Sequence, residues 1–174
     1  AELGLKHLNY TYQQGEGGIA AALSLAEHFA DGDKICVILG DNIIERNVRR
    51  AASSFAKQPR GAKILLKRVP DPERFGVPEL AGNRVVNIVE KPRRPPSRYA
   101  VTGIYFYDSA VFDFIRRVKP SKRGELEITD VNNHYIEAGS MTYEILRGWW
   151  TDAGTFESLQ RASRLVARGG ANKM

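Results

Sequence analysis

The sequence predicts an α/β fold, layered around a largely parallel central sheet, and three observations lead to it. Strand-like and helix-like periodicities alternate as βαβαβ between Leu8 and Val69. The apolar run Ile35 to Leu39 reads as a buried strand, and it ends in Gly40-Asp41. An acid delivered at the carboxyl end of a strand lies where open α/β sheets bind ligands.

Each element follows from its own pattern. Leu8 to Tyr12 alternates as a strand does, and Gln13-Gln14-Gly15-Glu16-Gly17-Gly18 breaks it. From Ile19 to Phe29, residues Ile19, Ala22, Leu23, Ala26 and Phe29 share one helical face, and Asp31-Gly32-Asp33 stops the helix. Val48 to Ala56 reads as a helix and Ala62 to Val69 as a strand. Val77 to Leu80 and Arg84 to Glu90 flank the turn residues Ala81-Gly82-Asn83, a hairpin signal. A long aromatic strand, Ala100 to Tyr107, precedes a helix from Ser109 to Val118. A helix from Thr129 to Ala138, a strand from Met141 to Leu146 and a helix from Phe156 to Val166 complete the pattern. The tail from Arg168 onward is expected to fray. Neither a repeat nor a linker divides the chain, so residues 1–174 read as one domain.

Composition narrows the function. With 174 residues, 43% hydrophobic and 26% charged, the chain can bury a core. No apolar stretch approaches the ~20 residues that span a bilayer. The start carries Glu2, Lys6 and His7 rather than a signal peptide, and a cytoplasmic location is expected. The lone Cys36 forms no internal disulfide and is expected to be a small buried hydrophobe. The net charge of +6 raises the question of nucleic acid. Its basic residues, however, gather in the loops Lys91-Pro92-Arg93-Arg94-Pro95-Pro96 and Lys119-Pro120-Ser121-Lys122-Arg123-Gly124. No aromatic platform is interleaved with them, so small phosphates suit them better than a polymer backbone.

Chemistry concentrates in two distant segments. Leu39-Gly40-Asp41-Asn42 and Trp149-Trp150-Thr151-Asp152-Ala153-Gly154-Thr155 each present one carboxylate beside small residues. Together the acids can form a Mg²⁺ site with oxygen ligands; alone, either can be a turn or N-cap residue. Trp149 and Trp150 read as packing residues, and His7, His28 and His134 belong to no pattern.

Seven segments then fall into a known order: Gln13…Gly17-Gly18-Ile19-Ala20; Leu39-Gly40-Asp41-Asn42; Asp71-Pro72-Glu73-Arg74-Phe75-Gly76-Val77; Glu90-Lys91-Pro92; Tyr99-Ala100-Val101-Thr102-Gly103-Ile104-Tyr105; Arg123-Gly124-Glu125-Leu126-Glu127-Ile128-Thr129-Asp130; and Trp150-Thr151-Asp152-Ala153-Gly154-Thr155. From Leu5 to Val166 the chain resembles the sugar nucleotidyltransferases, and within them the short bacterial glucose-1-phosphate thymidylyltransferases. The resemblance implies the three-layer, Rossmann-like nucleotide-diphospho-sugar transferase fold with a mixed, mainly parallel sheet. It implies a reaction in which dTTP and glucose 1-phosphate give dTDP-glucose and pyrophosphate.

Residue roles follow from the same resemblance. Asp41 and Asp152 match the Mg²⁺ ligands, with Asp41 also on the nucleotide side. Lys91 and Arg123 match the cations that hold the sugar phosphate against the triphosphate. Glu90 matches an acceptor for sugar hydroxyls, Gly76 a backbone donor close to the ring, and Thr102 and Gly103 the pocket lining. Gln13 and Gly18 match contacts to thymine or uracil. Glu125 or Glu127 can alternatively pair with Arg123, leaving it a surface charge.

There are departures too. Ala21 stands where many relatives carry Gln, which loosens the base assignment. The family's Gly-Gly-x-Gly-Thr-Arg-Leu loop and the Lys after it precede every motif found here, so an N-terminally truncated domain, or a naturally shortened relative, is expected. Such a chain alone is expected to be inactive in pyrophosphate release. UTP or another hexose 1-phosphate as substrate, or a non-catalytic nucleotide-sugar-binding or subunit-interaction module, are the alternatives. A homo-oligomer is expected, without nucleic-acid or membrane partners.

Overall fold

The computed structural model describes Gly4 and residues 6–173. Leu5, where the resemblance begins, lies outside the described residues. Helices α1 (Gly18–Ser24) and α2 (Glu27–Ala30) precede strands β1 (Ile35–Ile38) and β2 (Asn42–Ile44). Then come α3 (Arg49–Lys57), β3 (Ala62–Arg68), a 3₁₀ turn (Pro72–Arg74), and the hairpin of β4 (Gly76–Ala81) and β5 (Arg84–Glu90). The long β6 (Tyr99–Tyr107) leads to α4 (Ala110–Ile115), α5 (Ile128–Glu137), β7 (Met141–Ile145), β8 (Trp150–Asp152) and α6 (Phe156–Gly169).

The main sheet has the order β1-β6-β3-β7. Strand β6 runs antiparallel to both β1 and β3, while β3 and β7 are parallel. Strands β1, β3 and β7 therefore share a direction, and β6 is inserted antiparallel between β1 and β3. The sheet is mixed for that reason.

Strand alternation sorts β6 between two cores. Val101, Tyr105 and Tyr107 join Ile64 and Leu66 under α1, α4 and α5, with Leu23, Val111 and Val131 in the same cluster. Ala100, Ile104 and Phe106 face the other way, toward Leu65 and toward Ala51 and Phe55 of α3. Helices thus cover both faces, which gives the three layers. The β4–β5 hairpin turns at Gly82, whose φ of 59° suits glycine. Asn133 of α5 fastens it, accepting from the Ile88 N–H and donating to the Ile88 carbonyl, both at 2.9 Å.

Four expectations from the sequence need correction. Leu8 to Tyr12 forms no strand; alternation alone supplies no ladder partner, and Tyr10 and Tyr12 are 89% and 85% exposed. The helix expected over Ile19 to Phe29 is two helices. The chain tightens between them through i→i−3 bonds from Leu25 N–H to the Ala22 carbonyl and from Ala26 N–H to the Leu23 carbonyl. Strand β1 lies at the sheet edge, and Cys36 and Ile38, which share one of its faces, are exposed rather than buried. Partial burial of its thiol still pushes Cys36 up to about 11. The tail does not fray at Lys173: its N–H and carbonyl bond Glu45 and Asn47, and Asn172 bonds Ile44.

Candidate functional site

A short pairing that leaves little mark on the sequence builds the centre of the site. The antiparallel strands β2 and β8 place Asn42 opposite Asp152. The Ala153 N–H donates to the Asp41 carbonyl at 2.7 Å, locking the two acid-bearing turns together. Gly154 lies between them. A Cβ there would sit 3.4 Å from Asp41 Oδ2 and 3.6 Å from Asp152 Oδ2, so the two carboxylates converge on one small space that glycine keeps open.

Asn42 sets the orientation of Asp41. Its Oδ1 accepts from Gly103 N–H at 2.9 Å and from Trp150 Nε1 at 2.7 Å, and its Nδ2 donates to Asp41 Oδ1 at 2.8 Å. With Oδ1 held, Oδ2 is the oxygen that faces Gly154. An all-oxygen pair of this kind suits a hard divalent cation. Among the described residues no group of three or more His, Cys, Asp and Glu can hold an ion. Further ligands at the pair would therefore be water or phosphate, as is usual for Mg²⁺.

From this corner a cleft of about 270 Å³ opens between the hairpin, β6 and the segment before α5. Asp41, Asp152, Gly76, Glu90, Lys91, Gly103 and Arg123 all line it, although they come from distant parts of the chain. Gly76 and Glu90 are partners in the hairpin register. A Cβ on Gly76 would lie 3.3 Å from Thr129 Oγ1 and 3.4 Å from Glu90 Oε2, so the glycine admits Glu90 to the cleft wall. Thr129 donates to Glu90 Oε2 at 2.6 Å and fixes that carboxylate.

Lys91 follows with φ of 43°, a conformation costly for a residue with a side chain. Its N–H bonds the Phe75 carbonyl at 3.0 Å, and its ammonium stays 3.9 Å from Glu90 Oε1. Tyr105 forms part of the cleft wall. Burial, with the Glu90 and Asp41 carboxylates nearby, pushes its hydroxyl well above the usual range, so it remains neutral.

Arg123 carries its alternative as well. Its guanidinium is 2.9 Å from Glu127 and 3.3 Å from Glu125, and the Glu127 hydrogen bond is the main cause that raises its pKa. The cation lines the cleft and is partly neutralised at once.

Three of the residues picked out by the sequence sit elsewhere. Thr102 does not line the cleft. Strand alternation turns it to the α3 side, where it is fully buried and donates to the Leu65 carbonyl at 3.0 Å. Gln13 and Gly18 are together, Gln13 Nε2 donating to the Gly18 carbonyl at 3.1 Å, but the cleft is reached there by Ile19. Gly18 has φ of 86°, and a Cβ on it would meet the Leu126 carbonyl at 2.7 Å, so close backbone packing explains this glycine. Gly103 does line the cleft, but a Cβ would also collide with the Asn42 amide and approach Leu39 Cδ1 to 2.8 Å.

Sequence reasoning missed Asn42, Arg74, Thr129 and Gly154 as parts of the site. All four stand inside the seven segments. Arg74 bonds Asp71 at 2.9 Å, reaches to 3.6 Å from Asp152 Oδ2, and lies over the Phe75 ring at 5.4 Å. A second hollow of about 390 Å³ lies beyond it, lined by Asp71, Arg74, Asp152, Glu157 and Arg161 among others.

Known proteins resemble this chain in sequence and fold. The profile of the Nucleotidyl transferase family matches residues 2–169. A glucose-1-phosphate thymidylyltransferase of Neisseria meningitidis is 45% identical over 163 residues, which are 91% of this chain and 57% of that protein. A crystal structure from Bacillus anthracis, described as a glucose-1-phosphate thymidylyltransferase in complex with a sucrose, superposes with a TM-score of 0.86 at 54% identity. It covers 90% of this chain and 64% of that one. A UDP-glucose pyrophosphorylase complexed with UDP-glucose superposes with a TM-score of 0.82 at 23% identity, covering 92% and 66% of the respective chains, which bears on the fold alone. The chain thus spans a little over half the length of the curated relative. No helix among the described residues is long and apolar enough to cross a membrane.

Proposed function

This chain belongs to the Nucleotidyl transferase family, and on that premise we propose that it carries the sugar-phosphate and metal-binding part of a glucose-1-phosphate thymidylyltransferase. In the reaction an oxygen of glucose 1-phosphate attacks the α-phosphorus of dTTP in line. The bond from that phosphorus to the bridging oxygen breaks, and pyrophosphate leaves with the electron pair. The sugar phosphate is already an anion at neutral pH, so positioning and charge neutralisation are the protein's main tasks. The observation that carries the reading is the convergence of Asp41 and Asp152 at the head of a cleft that also holds Glu90, Lys91 and Arg123.

Asp41 and Asp152 would hold Mg²⁺, which when bound offsets the negative charge of the phosphates. Lys91 supplies an ammonium to the sugar phosphate, held near it by a backbone that the Phe75 carbonyl fastens. Arg123 supplies a second cation, shared with Glu125 and Glu127 until a phosphate competes for it. Glu90, fixed by Thr129, accepts from sugar hydroxyls, and the Gly76 N–H approaches the ring where no side chain intervenes. Gly103 contributes backbone to the pocket, whereas Gln13 and Gly18 lie beside Ile19 outside the cleft lining and are given no base contact.

Calorimetry with the 174-residue chain tests the reading. dTDP-glucose should bind more tightly with Mg²⁺ than without, and more tightly than UDP-glucose. Lys91→Ala should weaken binding of dTDP-glucose about tenfold, in keeping with loss of a charge-assisted contact to phosphate. Affinity indifferent to both Mg²⁺ and Lys91 would count against it.

A further inference from the structure

The Arg74 guanidinium lines the same cleft as Lys91 and Arg123 and approaches the acid pair at Asp152. It lies 3.6 Å from Asp152 Oδ2, the oxygen that also faces the space kept open by Gly154. A charge-assisted hydrogen bond closes to about 2.8 Å, so this contact is attractive but not bonded. What holds Arg74 back is visible. Its other nitrogen bonds Asp71 at 2.9 Å, three residues earlier across the 3₁₀ turn, and its plane rests over the Phe75 ring. Asp71 lines the second hollow and does not line the cleft.

We propose that Arg74 is a tethered counter-charge which competes with a divalent cation for Asp152, and that Asp71 sets how strongly it competes. This inference rests on Asp41 and Asp152 forming the cation site. Near the empty pair, Arg74 offsets part of the carboxylate charge. When a divalent cation takes the Oδ2 oxygens, the guanidinium is displaced toward the cleft it already lines, where its donors suit a phosphate oxygen. The tether to Asp71 keeps Arg74 from closing on Asp152 and so keeps the site accessible. Arg74 therefore tunes cation affinity, and Asp71 acts through Arg74.

The test is Mn²⁺ affinity of the 174-residue chain, read from the electron paramagnetic resonance of free Mn²⁺. Arg74→Ala should tighten Mn²⁺ binding about fivefold, a modest change for one partly screened charge. Asp71→Asn, which frees Arg74, should weaken it by about threefold. In the Arg74→Ala background, Asp71→Asn should have almost no effect. Equal weakening by Asp71→Asn in both backgrounds would show simple additive electrostatics and overturn the tether. Weaker binding in Arg74→Ala would make Arg74 a support for Asp152 and overturn the competition. Asp152→Asn separates the two readings: if it leaves wild-type Mn²⁺ affinity unchanged, the cation site itself is wrong and the inference falls with it. If it abolishes binding while Arg74→Ala changes nothing, only the inference fails. Arg74 and Asp71 are 41% and 32% exposed, so both variants should fold.

Discussion

Asn42 and Thr102 show two ways in which the role of a side chain escapes the sequence. Asn42 is a hub with three hydrogen bonds, to Asp41, Gly103 and Trp150. Asn42→Ala should destabilise the fold by about 2 kcal/mol in chemical denaturation, since two buried donors lose their acceptor. It should also weaken Mn²⁺ binding about tenfold, as loss of a group that orients a metal ligand does. Full Mn²⁺ affinity in a folded Asn42→Ala chain would show that Asp41 needs no such orientation. Thr102→Val should cost about 1 kcal/mol through the lost bond to the Leu65 carbonyl, with dTDP-glucose affinity unchanged. A loss of affinity without a loss of stability would contradict its placement on the α3 side. The sequence segment around Thr102 marked a strand beside the site. It did not mark parity, and parity decides which residues of β6 reach the cleft. Asn42 escaped notice because an amide beside an acid looks like any turn residue until its acceptors are in place.

At the scale of elements, legibility followed length and periodicity. Strands β3 and β6, the hairpin and helices α3, α5 and α6 were all evident, because each carries several turns or alternations of apolar residues. Strands β2 and β8 were not, at three residues each, and they are the pair that joins Asp41 to Asp152. Pairing also buries an ion pair that periodicity hides. Lys63 of β3, with a side chain 5% exposed, bonds Glu144 of β7 at 2.8 Å and Ser54 of α3 at 2.6 Å. Desolvation raises the Glu144 carboxyl, but the hydrogen bond and charge of Lys63 outweigh it and the net shift is downward. A depressed carboxylate stabilises the fold above its unfolded value, near pH 4.3, and that contribution is lost as pH falls through the folded value. Glu144→Gln should therefore flatten the pH dependence of stability below about pH 4.5. At neutral pH it should cost about 2 kcal/mol, less than for a fully buried pair because Glu144 is partly exposed. An unchanged acid limb in urea titrations would remove Glu144 from this role.

For the whole molecule, the family and the three-layer fold were legible because seven segments kept their order, a property that survives uncertainty in any one of them. The geometry of the cleft was only half legible. Gly76, Glu90, Lys91 and Arg123 do come together with Asp41 and Asp152, but the Arg123 partners and the Arg74 contact depend on distances no spacing reveals. Strands β2 and β8 bring two distant carboxylates together at the head of that cleft, where they would hold one divalent cation. Crystals of this chain grown with Mn²⁺ and dTDP-glucose would test it by anomalous scattering at the manganese edge. One peak is expected between Asp41 Oδ2 and Asp152 Oδ2, at about 2.1–2.2 Å from each, beside Gly154. A peak bound to only one of the two acids, or lying outside the cleft, would contradict it.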